Sequence, residues 1–68
     1  MPYVNVRIAK SGATPEQKAK VIEGITNLLF EVLGKPKPST YVVIDEVELE
    51  NWGTGGETLA KRRAQKPS

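Results

Sequence analysis

The 68-residue sequence contains no cysteine and no histidine. The first absence rules out a disulfide and a thiolate metal site. The second removes the commonest metal ligand and the commonest general base in one stroke. No apolar run is long enough to span a bilayer, and no signal-peptide pattern precedes the first apolar segment. A cytoplasmic protein with no membrane partner is therefore the expectation. Strong charge of either sign is missing too: ten basic and eight acidic residues give a formal net charge of +2, too balanced to imply a nucleic-acid partner. Lys61, Arg62, Arg63 and Lys66 do gather behind Asp45, Glu46, Glu48, Glu50 and Glu57. No aromatics interleave with that basic cluster, so a nucleic-acid-binding tail is the weakest of the functional readings. A chain of this length forms at most one small domain, residues 1–68, and usually needs a disulfide, a metal or a partner subunit for stability. With the first two excluded, oligomerisation is the expected support.

What is present reads clearly along the chain. From Pro2 to Ala9, Pro2, Val4, Val6 and Ile8 alternate with Tyr3, Asn5 and Arg7, the pattern of a half-buried strand. Arg7 lies on the face away from the apolar side and reads as a surface or interface charge. After the loop KSGAT, the run TPEQ places Thr14 as N-cap, Pro15 at the first helical position and Gln17 as the reciprocal partner of a capping box. Ile22, Ile25, Leu29 and Leu33, flanked by Val21, Leu28 and Val32, then recur at helical spacing, with Lys20, Glu23, Asn27 and Glu31 opposite. So wide an apolar arc predicts contact with more than one neighbour. Gly34 is placed to end the helix in a left-handed cap, and Pro36 and Pro38 stop it from continuing.

A second strand follows in STYVVIDEV, whose Tyr41–Ile44 centre is apolar almost throughout, as suits a strand covered on both faces. Strand, helix and strand with short connections make a βαβ unit with parallel strands and a right-handed crossover. Two strands and one helix cannot cover both faces of the sheet, which again predicts association. The glycines around Thr54 predict a turn or small hairpin, followed by a basic tail. The expected class is an α+β subunit that assembles as an oligomer.

The candidate bases are then carboxylates, lysines and the amino terminus. Methionine before proline is normally removed, which would give Pro2 a secondary amine. An α-amino group titrates near ~8, far below lysine at ~10.4, so modest desolvation makes it a neutral base at pH 7. The pyrrolidine ring also fixes its direction. The plainer reading is a proline that simply begins an edge strand.

MPYVNV, TPEQKAKVIEGIT, VVIDEV and NWGTGGE together resemble 4-oxalocrotonate tautomerase and its short relatives in the tautomerase superfamily. The likeness covers nearly the whole chain in order, spacing and length. It implies a βαβ subunit assembled as a hexamer, a trimer of dimers; no cofactor and no metal are expected. It also implies an amino-terminal proline, here Pro2, that moves a proton within a small enolisable keto acid of the 2-hydroxymuconate or phenylenolpyruvate type. Arginines of the family hold the substrate carboxylate and polarise its carbonyl, while an aromatic side chain lines the pocket.

The aromatic position is filled by Trp52, which alternatively plugs the turn against the core. Both arginine positions depart from the pattern. The first falls in the loop after strand one, where Lys10 offers a charge without a guanidinium's planar grip. The second falls at the start of strand two, where Tyr41 offers one hydrogen bond and no charge. Arg62 and Arg63 are further candidate cations, either as a solvated tail or reaching a neighbour's pocket. Two other readings stand beside the enzyme: a non-catalytic oligomeric module of the same fold, and a hydratase or dehalogenase using the same proline.

Overall fold

The computed structural model describes residues 1–65. Strand β1 (Tyr3–Ala9) leads through a loop into helix α1 (Pro15–Leu33), and strand β2 (Tyr41–Val47) returns beside β1. The two strands are parallel, with Tyr3 opposite Tyr41 and Ala9 opposite Val47. Short 3-10 turns at Lys37–Ser39 and Leu49–Asn51 flank β2. A hairpin of β3 (Gly53–Thr54) and β4 (Glu57–Thr58) follows, then helix α2 (Leu59–Gln65). This is the βαβ unit with parallel strands and terminal hairpin that the sequence predicts.

Local chemistry accounts for each boundary. The Gln17 backbone N–H donates to Thr14 Oγ1 at 3.1 Å while the Thr14 N–H donates to Gln17 Oε1 at 2.9 Å, a complete capping box. Gly34 ends α1 at φ 68°, its N–H bonded to the Phe30 carbonyl at 2.9 Å. In the hairpin, Gly55 and Gly56 have φ of 59° and 83°, the mirror-image turn geometry that matches the twist of the flanking strands.

One expectation needs correction. The cluster read as a basic tail begins as helix: Thr58 Oγ1 accepts the Lys61 N–H at 3.1 Å, and Leu59 to Gln65 are nearly all strong helix formers. Arg62 is half-buried on α2 and Arg63 exposed. Lys66 lies outside the described residues.

Helix α1 covers one face of the sheet. Val4, Val6, Ile8, Val42 and Ile44 are half-buried, and Lys18 Nζ on α1 donates to Glu46 Oε1 on β2 at 2.6 Å. The other face carries Tyr3, Asn5, Arg7, Tyr41 and Val43, all exposed. Coverage of β2 on both faces is thus not met within one chain. The flank of the wide apolar arc of α1 is open as well, with Leu28 57% and Val32 69% exposed.

Among the described residues no hydrophobic side chain is buried. The accessible surface is 5262 Å², against roughly 4,200 Å² for a compact monomer of this length. The difference, about 1,000 Å², marks a shape less compact than an ordinary monomer of this length. The radius of gyration, 15.6 Å, likewise exceeds the roughly 11 Å of a compact chain. No helix among the described residues is long and apolar enough to cross a membrane.

Candidate active site

The parallel register sorts the candidate residues into two groups. Pro2 is half-buried, and its carbonyl accepts the Tyr41 N–H at 2.9 Å. Pro2 and Tyr41 therefore share the amino-terminal end of the sheet. Lys10, Trp52, Arg62 and Arg63 follow the carboxyl ends of the strands, on the loop, hairpin entry and α2. Six strand steps separate the two ends, about 20 Å at the usual rise per residue. Pro2 and the Trp52 concavity of one chain thus stand toward opposite ends of the sheet.

At the carboxyl end lies a shallow concavity of about 300 Å³ lined by Arg7, Val47, Asn51, Trp52 and Gly53. It opens on the sheet face that α1 leaves uncovered, since Arg7 and Val47 alternate onto that face. Backbone bonds position Trp52: its N–H donates to the Leu49 carbonyl at 3.4 Å, and its carbonyl accepts the Leu59 N–H at 2.7 Å. The hairpin between these two bonds is thereby closed behind the indole. Close packing tightens it further, because a Cβ on Gly53 would meet the Glu57 carbonyl oxygen at 3.2 Å.

Lys10 is not aimed at this concavity. Its Nζ donates to Glu48 Oε1 at 3.1 Å, and hydrogen bonding to that carboxylate, reinforced by its charge, raises the Lys10 pKa above the ordinary value. Arg7 does line it. Its guanidinium stands 3.6 Å from Asp45 Oδ2, the same oxygen that accepts a 2.7 Å hydrogen bond from Asn5 Nδ2. Sequence reading assigned neither Arg7 nor Asn51 to the site. One signal was available: at the offset of 38 residues that relates the two strands, Arg7 meets Asp45 and Lys10 meets Glu48, opposite charges in both cases.

Such a site offers an aromatic wall, an amide and a planar cation at one end of the sheet, and an anchored proline at the other. The comparisons with known proteins agree with the fold. A family model described as tautomerase enzyme matches residues 2–62. "Probable tautomerase K2" of Dickeya dadantii (strain 3937) is 55% identical over 65 residues, covering 96% of this chain and 97% of that protein. The 2-hydroxymuconate tautomerase of Comamonas testosteroni is 39% identical over 56 residues, 82% of this chain and 87% of that protein. The crystal structure of DmpI from Helicobacter pylori superposes with a TM-score of 0.81 at 42% identity, covering 88% of this chain and 98% of the other.

Proposed function

This chain belongs to the tautomerase family of enzymes, and from that premise we propose that the nitrogen of Pro2 moves a proton within a small enolisable keto acid. The observation that supports this most is the anchoring of Pro2, whose carbonyl is bonded to the Tyr41 N–H at 2.9 Å. A base held that way loses little freedom on reaching a substrate. With Met1 attached the Pro2 nitrogen is an amide and has no basicity. Met1 is 89% exposed and open to removal, which leaves a secondary amine.

That amine, neutral in an apolar cleft because desolvation disfavours its charged form, takes a proton from the carbon next to the carbonyl. The electron pair of the broken C–H bond forms the enolate, with charge on oxygen. The Tyr41 hydroxyl or a cation stabilises that oxygen. Return of the same proton to a different atom completes an isomerisation with no net change in composition, and ketonisation of an enol runs these steps in reverse, from the O–H proton to the carbon.

The cleft lies between copies of the chain, because in one chain Pro2 is five strand steps, about 16 Å, from the Arg7 that shares the Trp52 concavity. The hexamer implied by the family resemblance would bring a neighbour's Trp52 to Pro2, with Arg62 and Arg63 adding positive potential. Tyr41 at the second arginine position, and Lys10 engaged with Glu48, favour a monocarboxylate of the phenylenolpyruvate type over the dicarboxylate 2-hydroxymuconate.

Ketonisation of phenylenolpyruvate, followed by ultraviolet absorbance, tests the assignment on three proteins: processed, Pro2→Ala and Met1-retaining. The processed form should exceed both others in kcat/KM by about 100-fold or more, the usual contribution of a positioned acid–base group. Equal rates would remove Pro2 from the chemistry and leave the fold as a non-catalytic oligomeric module.

A further inference from the structure

The geometry points to Arg7 as the cation that grips the substrate carboxylate, in the Trp52 concavity, in place of the arginines this chain lacks at the two family positions. Arg7, Val47, Asn51, Trp52 and Gly53 line that space together. It lies at the carboxyl end of the parallel strands, between the open sheet face that carries Arg7 and Val47 and the hairpin entry at Trp52. Its volume, about 300 Å³, is at the small end of ligand pockets, roughly 300–1,000 Å³.

The state of the guanidinium is the decisive detail. Asp45 Oδ2 is already bonded to Asn5 Nδ2 at 2.7 Å, while Arg7 Nη2 approaches the same oxygen only to 3.6 Å. That separation is longer than a hydrogen bond. Within one chain the Arg7 side chain is 65% exposed, and a pairing of that length and exposure holds the cation weakly. A guanidinium presents five N–H donors in a planar fork that matches a carboxylate in two parallel bonds. Asp45 orients the fork without consuming it. Val47 and the Trp52 ring supply apolar surface for the body of the ligand, and the Asn51 amide offers both donor and acceptor. The chemistry fits a small monocarboxylate with an aromatic or unsaturated tail. That this carboxylate belongs to a substrate reacting at a neighbour's Pro2 rests on the function proposed above; the carboxylate site itself does not.

Trp52 is the single tryptophan, so its emission reports occupancy directly. The processed, assembled protein is titrated with phenylacetate and with the neutral analogue phenylacetamide. Phenylacetate should shift Trp52 emission saturably. Arg7→Ala should weaken phenylacetate about tenfold or more, with Arg7→Lys between the two, since a lysine supplies charge without the fork. Asp45→Asn removes the competing carboxylate and should tighten binding severalfold, the reverse of what a purely structural ion pair would give. Phenylacetamide should bind Arg7→Ala and the unaltered protein alike. No response of Trp52 to phenylacetate, unaltered affinity in Arg7→Ala, equal losses for both probes, or weaker binding in Asp45→Asn would each overturn the assignment. Pro2→Ala separates the two proposals. It should keep phenylacetate affinity while losing turnover; full turnover there, with the Arg7 effects intact, would sink the proline mechanism alone.

Discussion

The Lys10 ammonium is held above the ordinary lysine value of 10.5 by the carboxylate of Glu48. A group raised in this way contributes stability below its unfolded value and loses it only as pH climbs through the folded one. No part of that loss falls near neutrality. Both partners are also more than half exposed, at 58% and 54%, where screening leaves an ion pair worth little. Calorimetric melting of Lys10→Met should therefore track the unaltered protein from about pH 6 to 9; a marked loss across that range would show that the bridge fixes the β1–α1 loop. The Met-Pro start and the Thr14–Gln17 cap were legible in sequence because each is a local pattern. Arg7 was only half legible. Alternation placed it on the correct face, but Asp45 and Trp52 lie some forty residues away along the chain, and only the strand register brings them together.

The hairpin shows how a segment with few side chains can aim one large one. Gly55 and Gly56 occupy left-handed backbone at φ 59° and 83°, which costs a residue with a Cβ about 1–2 kcal/mol. Gly56→Ala should lower the melting temperature and, by loosening the turn behind Trp52, raise KM more than it lowers kcat. Steady-state kinetics on the enol substrate would check this; an unchanged KM would detach the hairpin from substrate binding. Helix α1 and the parallel strands were readable from caps and periodicity. Helix α2 was not, because its cluster of positive charge resembles a solvated tail and only the Thr58 cap and helix-forming composition mark it. The uncovered face of β2 was foreseen as covered, since apolarity signals burial but not which molecule provides it.

A chain with no buried hydrophobic side chain among its described residues and about 1,000 Å² of surplus surface is expected to be one part of a larger body. Sedimentation velocity should find a closed oligomer, six copies on the family resemblance. Val32, 69% exposed on the flank of the apolar arc of α1, is the place to break it: Val32→Glu should give smaller species and a melting point that depends on concentration. A fully active wild-type monomer would contradict the shared cleft. The expectation of partners came from composition and length, whereas which edges would meet depends on shapes no single chain encodes locally. The separation of Pro2 from Trp52 has a genetic corollary. On the proposed shared cleft, a chain disabled at its proline would still carry a sound indole for its neighbour, and one disabled at its indole a sound proline. Two populations of dead subunits, unfolded and reassembled together, would recover a share of working clefts that neither possesses alone.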